Sequence, residues 1–135
     1  MTGEDATRAR VALAVVVEAG RVLLARRVVA EGSLSWVFPG GAVEPGESAE
    51  RASVREAAEE VGVVVEPVRI LGERVHPGTG RHLVYVACRF ISGQTRAASA
   101  REVAEVEWAG RAALQALVPQ GFYTPVQDYL DGSLM

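Results

Sequence analysis

Three glutamates, Glu56, Glu59 and Glu60, crowd into one short stretch of the chain. On a helix, at ~100° per residue, they share an arc of ~100°. The helix resists this. Glu56 and Glu60 are like charges at i, i+4, which costs about 0.2–0.5 kcal/mol. Glu59 and Glu60 fall in the last turn, where the helix dipole prefers cations, a mismatch of about 0.3–1 kcal/mol. Only Arg55 to Glu59 offers an obvious local pairing. A solvated polar face is the ordinary reason for a charge run, but it does not account for acids placed where the helix disfavours them. A bound divalent cation does. Clustered carboxylates with no cysteine nearby suit a hard ion such as Mg²⁺ or Mn²⁺. Relieving the repulsion with Glu59→Gln should then raise the melting temperature of the metal-free protein.

The elements that must position these acids can be read along the chain. Ser48 is a good N-cap and Gly62 a good C-terminal glycine, which predicts a helix from Ala49 to Val61. Val54, Ala57, Ala58 and Val61 form an apolar stripe expected to face the core, with the glutamates opposite. Val11 to Glu18 and Arg21 to Arg27 read as strands around the turn Ala19-Gly20, a candidate hairpin. Residues 28–34 read as a loop, and Ser35 to Phe38 as a short strand that Pro39-Gly40-Gly41 stops. Strands are predicted over 67–76, 81–91 and Val103 to Trp108, with a polar loop over 92–101. Short helices follow over Arg111 to Leu117 and Pro125 to Leu130. Strands on both sides of one central helix predict an α/β (α+β) sandwich around a mixed β-sheet.

The wider pattern is more specific than the helix. Gly41 is followed after five residues by Glu47, then after seven by Arg55-Glu56, then Ala57, Ala58, Glu59-Glu60, Val61, Gly62 and Val63. This resembles the signature of the Nudix hydrolases at every fixed polar and glycine position. Ala57 departs slightly, because the family favours a larger aliphatic residue there. The length predicts a single domain over residues 1–135, and the polar residues 1–9 read as loose; the resemblance implies a Nudix-type α/β/α sandwich and a MutT-like nucleotide pyrophosphohydrolase. Such enzymes cleave a nucleoside diphosphate linked to some group X by water attack on phosphorus.

That resemblance also assigns roles. Glu56, Glu59, Glu60, Glu102 and Arg55 are the implied catalytic residues. Glu56, Glu59, Glu60, Glu102 and the main-chain carbonyl of Gly41 (or Gly40) are the implied metal ligands, for Mg²⁺ with Mn²⁺ as a substitute. Glu56 is the first choice of general base and Glu102 the second, with Glu105 and Glu107 competing for the place of Glu102. Arg55 and Glu47 look like an ion pair that ties the loop to the helix. Arg26 or Arg27 is expected at phosphate, since guanidinium forks suit phosphate oxygens; Arg81 is a further candidate. Phe38, Tyr85, Phe122 and Tyr123 are candidates for base stacking, each of which could equally be core. His76 and His82 have no partner spacing. The branch that removes oxidised guanine nucleotides places an asparagine just before the last helix. Tyr123-Thr124 stands there instead, and the chain has no asparagine, which puts that specificity in doubt.

Composition narrows the rest. Among 135 residues, 49% are hydrophobic and 23% charged, the balance of a globular domain. No apolar run reaches the ~20 residues of a membrane span, and the polar start carries no secretory signal. The single cysteine, Cys88, excludes a disulfide framework and a Cys-based zinc site. A cytoplasmic setting is expected from those missing signals. Seventeen acids against fourteen bases, all of them arginine, argue against a general nucleic-acid binder. The expected partner is a small nucleotide, with no nucleic acid and no membrane; related enzymes are often dimers, so a homodimer stays open. The leading reading is hydrolysis of nucleoside di- or triphosphates. Competing readings are an ADP-ribose or nucleotide-sugar pyrophosphatase and a non-catalytic nucleotide-sensing domain.

Overall fold

The computed structural model describes residues 10–27, 35–99 and 102–135. The expectations for residues 1–9 and for the loop at 28–34 lie outside these residues. Seven strands make one mixed sheet: β1 (Arg10–Glu18), β2 (Arg21–Arg27), β3 (Ser35–Val37), β4 (Gly40–Ala42), β5 (Val63–Val75), β6 (His82–Gly93) and β7 (Val103–Ala109). The helices among the described residues are α1 (Ala49–Val61), α2 (Arg111–Leu117) and α3 (Thr124–Ser133).

β1 and β2 are runs of β-branched and aliphatic residues that turn back at Ala19-Gly20. Both turn residues have positive φ, 52° and 76°, as a two-residue hairpin matched to strand twist requires. The hairpin is paired only at its tip, Val17 with Val22 and Glu18 with Arg21. Beyond it the strands fork. β1 runs parallel to β6 from Arg10 to Val17, whereas β2 runs antiparallel to β7. The segment 35–42 wedges into the fork, β3 on β2 and β4 on β1. The glycines expected to stop a strand therefore form one themselves. Gly40 must be glycine there, because a Cβ would overlap the Ala12 carbonyl oxygen.

β5 begins at Val63, not at residue 67, because Gly62 in the left-handed region (φ 75°) reverses the chain at once. Pro67 is tolerated within it because β5 is an edge strand paired only with β6. The last helix likewise runs to Ser133, beyond the expected Leu130.

α1 covers one face of the sheet and packs on β5, β1 and β4. Its ends are those the sequence predicts: Ser48 Oγ accepts the Arg51 amide at 3.1 Å, and the Gly62 amide donates to Ala58 O at 3.2 Å. α2 and α3 share the opposite hydrophobic layer with Val11, Val15 and Tyr85. The result is an α/β/α sandwich. The buried face of α1 differs from the expected stripe. Ala49, Ala52, Ser53, Ala57, Glu60 and Val61 are buried, Val54 is half-buried and Ala58 is exposed. At ~100° per residue, Glu60 sits within ~10° of the middle of the buried arc. The apolar residues buried on this helix are Ala49, Ala52, Ala57 and Val61, mostly too small to give a strong hydrophobic signal, so the acids falsely mark the outside.

Candidate active site

A cleft of about 1260 Å³ opens over β4, β1 and β6. Its acidic end is built where the hairpin forks. Glu60 reaches inward from the last turn of α1 and is only 1% exposed. Its Oε1 accepts the Gly40 amide at 3.2 Å, and both its oxygens lie 3.4 Å from Arg27 Nη1 at the end of β2. Arg27 Nη2 also lies 3.7 Å from the Glu102 carboxylate. One turn earlier, Glu56 packs its carboxylate over Gly41, where a Cβ would overlap it. Glycine at 41 is thus the space for an acid.

Arg55 organises the outer side. Its Nε and Nη2 donate to the two oxygens of Glu47 at 2.8 and 2.9 Å, and Nη2 donates to Ala42 O at 2.9 Å. Nη1 donates to Glu56 at 3.1 Å and to Glu59 at 3.3 Å. The bidentate pair ties the loop before α1 to the helix and sets the Glu56 rotamer. It also holds the Glu47 carboxyl down at about 2, through the Arg55 hydrogen bonds first and the Glu44 amide second.

The acids differ electrostatically. Burial pushes Glu60 up to about 7 against the pull of Arg27 and the Gly40 amide, with Glu56 and Glu102 adding repulsion. Burial also raises Glu56, opposed by Arg55 and reinforced by Glu59 and Glu102. Glu56, Glu60 and Glu102 therefore feel one another's charge. The Glu59 side chain lines the cleft but is 60% exposed.

Other candidates separate. Arg26 is turned away and pairs with Glu105 at 2.9 Å, outside the cleft lining; successive strand residues face opposite ways, so only Arg27 enters. Glu102, in the turn just before β7, lines the cleft, whereas Glu105 and Glu107 within that strand do not. Phe38 is buried, stacked on Phe122 at 4.7 Å and edge-on to Tyr85 at 6.3 Å. It forms floor, not a free stacking face. Tyr85, Phe122 and Tyr123 complete that floor, and Tyr123 Oη donates to Glu73 O at 2.8 Å. Arg81 lines the far end. His76 lines it too, but its Nδ1 accepts the Gly78 and Thr79 amides at 3.0 and 3.2 Å and so caps the turn. His82 lies outside, 2.8 Å from Glu73. Cys88 is buried beside Ser53, and burial raises its thiol to about 11. Trp36 and Arg74 are among the cleft residues that the sequence reading does not single out. Trp36 shares its strand face with Phe38, an i, i+2 relation that could have found it; Arg74 had no such signal.

All the acidic donors are oxygens, and their charges repel, which fits a hard divalent cation. Among the described residues, however, no three His, Cys, Asp or Glu stand gathered as a coordination group. Arg27 and Arg55 take up the carboxylate oxygens instead, so a cation would displace guanidinium contacts. No helix among the described residues is long and apolar enough to cross a membrane.

Comparison with known proteins agrees with this architecture. The NUDIX domain profile matches residues 6–127. An RNA pyrophosphohydrolase from Serratia proteamaculans is 45% identical over 71 residues, which cover 53% of this chain and 39% of that protein. The match thus spans well under half of that relative's length. A MutT NUDIX hydrolase from Burkholderia pseudomallei shares the fold with a TM-score of 0.67 at 27% identity, covering 94% of this chain and 98% of that one. A NUDIX hydrolase from Nitrosomonas europaea has a TM-score of 0.76 at 19% identity, covering 95% and 92%, a likeness of fold alone. The glycine-to-valine motif from Gly41 to Val63, the sandwich that carries it and the match over nearly the whole length agree, and the chain belongs to the Nudix family.

Proposed function

We propose that the chain is a divalent-metal-dependent hydrolase of a nucleoside diphosphate linked to X, acting on nucleoside di- or triphosphates. One observation supports this reading: Glu56, Glu60 and Glu102, with Arg27 and Arg55 against their carboxylates, line one end of a cleft whose floor is aromatic. Glu56, Glu60 and Glu102 would hold Mg²⁺ or Mn²⁺, with Glu59 and the Gly41 carbonyl at the margin. A bound cation would neutralise phosphate charge and lower the pKa of a bound water.

The chain's own groups do the remainder. Arg27 offers a guanidinium to the phosphate oxygens once Glu60 engages the cation. Glu56 takes the proton of the attacking water as a new P–O bond forms and the anhydride P–O bond breaks, the leaving phosphate departing with its oxygen. Burial suits it to that task, since it raises the carboxyl above its ordinary value and a carboxylate of higher pKa is the stronger base. Arg55 positions Glu56 and keeps Glu47 ionised. The nucleobase would lie along the aromatic floor that Phe38, Tyr85 and Phe122 line.

The test is a panel of nucleoside triphosphates, ADP-ribose, a nucleotide sugar and a 5′-triphosphorylated oligonucleotide, each with Mg²⁺ and with EDTA. Orthophosphate or pyrophosphate released from triphosphates, and only with metal, is the expected result. AMP plus ribose phosphate as the main products would shift the reading to ADP-ribose. The oligonucleotide belongs in the panel because the Serratia relative is named for RNA. Turnover of nothing, or turnover indifferent to EDTA, overturns the proposal.

A further inference from the structure

A second charged site faces the first across the cleft. Two rows of paired residues cross the floor, Arg74–Leu83–Val11–Ala42 and Gly72–Tyr85–Leu13–Gly40. At about 4.8 Å per strand, the first row puts the Arg74 backbone roughly 14 Å from Ala42. Ala42 O accepts Arg55 Nη2 at 2.9 Å, so the row ends beside the arginine that holds Glu47 and Glu56.

Arg74 is built into place. Its guanidinium carbon lies 5.1 Å from the centroid of the Tyr123 ring. That ring is seated on Gly72, where a Cβ would lie 3.0 Å from Tyr123 Cε2, and is pinned by its hydroxyl on Glu73 O. The Arg74 Nε is buried with no hydrogen-bond partner. A desolvated donor left unpaired is costly, and the strand offers no acid to relieve it. Glu73 points to the other face and pairs with His82. Arg81 sits opposite His76, whose amide donates to Arg81 O at 2.8 Å. It is the diagonal neighbour of Arg74 on this face. Among the described residues, no Asp or Glu from β5, β6 or 118–124 lines the cleft; all its acids are at the other end.

We propose that Arg74, with Arg81 diagonal to it, is an anion site that takes a phosphate on the 3′ side of the nucleotide whose 5′ diphosphate is hydrolysed. This rests on the hydrolase reading above. A 5′ diphosphate is too short to touch both ends of the cleft. A nucleotide extended from its 5′ polyphosphate to a 3′ phosphate is long enough, once the reach of the arginine side chains is subtracted. Its base then crosses the aromatic floor between two charged ends. The same chemistry is offered by a 3′-phosphorylated mononucleotide and by the first internucleotide linkage of RNA.

Three substrates with one first base test this with the Mg²⁺-loaded enzyme: the nucleoside triphosphate, its 3′-phosphate, and a 5′-triphosphorylated tetranucleotide. At least one 3′-extended substrate should be preferred by about ten- to a hundredfold in kcat/KM, mostly through KM, as one charge-assisted contact implies. Preference for both assigns the site to the phosphate itself; preference for the tetranucleotide alone assigns it to the RNA linkage. In Arg74→Gln the ratio should fall toward one, and Arg74→Lys should retain part of it. Should Arg74→Gln not fold, Arg81→Gln reads the same ratio, and inhibition of the unaltered enzyme by adenosine 3′,5′-bisphosphate should exceed that by AMP. Equal kcat/KM for all three, or a preference that Arg74→Gln leaves intact, overturns the assignment. Absence of hydrolysis of all three would instead sink the hydrolase reading.

Discussion

Arg27 reaches both carboxylate oxygens of Glu60 at 3.4 Å, and that contact joins one prong of the forked hairpin to the last turn of α1. The Gly40 amide, from the wedge between the prongs, completes the grip. Three elements far apart in sequence thus decide where one acid sits. Its neighbours, Glu56 and Glu102, then inherit a crowded field.

Glu60→Gln should cut turnover by about a hundredfold or more while leaving the fold intact. Its effect on metal-free stability should be the opposite. Burial holds the folded carboxyl up at about 7, above its unfolded value, so its contribution is full below the unfolded pKa and is lost as pH rises through about 7. The melting temperature of the wild-type protein in EDTA should therefore decline between pH 5 and 8, and Glu60→Gln should flatten that decline. The relief expected of Glu59→Gln moves to Glu60, because Glu59 is exposed and already held by Arg55. A Glu60→Gln variant melting lower than wild type at pH 8 in EDTA would contradict this.

Mg²⁺ should raise the melting temperature by several degrees. A ligand at a hundred times its Kd adds about 2.7 kcal/mol to the native state. Glu56→Gln should abolish the shift. Calorimetric scans with and without EDTA decide it, and an unchanged transition would remove the metal assignment.

Arg55→Lys should lower stability by about 1.5–3 kcal/mol, because an ammonium cannot serve both oxygens of Glu47 and the Ala42 carbonyl together. Urea midpoints measure this. The acid limb adds a sign. The Arg55 hydrogen bonds hold Glu47 down at about 2, so its contribution is present above its unfolded pKa and fades as pH falls through about 2. The stability gap between wild type and Arg55→Lys should narrow over that acid range.

Gly40→Ala and Gly41→Ala should part company. At Gly40 the new methyl meets the Ala12 backbone oxygen, which cannot yield, so the protein should lose about 1–3 kcal/mol or fail to fold. At Gly41 the obstacle is the end of the Glu56 side chain, which can swing away. That variant should fold and lose turnover, as melting curves paired with kcat would show.

Much of this was readable in one dimension. Both caps of α1, its length and the motif from Gly41 to Val63 are local. So are the hairpin turn at Ala19-Gly20 and the Arg55–Glu47 tie across eight residues. The acids' spacing also announced a charged cluster. What the periodicity misjudged was the helix's inner face, because Ala58 and Ser53 are too small and too neutral to vote against burying Glu60.

The amino-acid order alone determined that an acid-rich helix follows a glycine loop, since capping, turn chemistry and helical spacing act between near neighbours. Only the tertiary structure decided which acids turn inward and which arginine answers them. Arg27 instead of Arg26, Glu102 from the turn before β7 instead of Glu105 within it, and Arg74 over Tyr123 are outcomes of how distant strands pair and of the fork between β1 and β2. Those arise from pairing between segments distant along the chain, where each one-residue step reverses the direction a side chain faces.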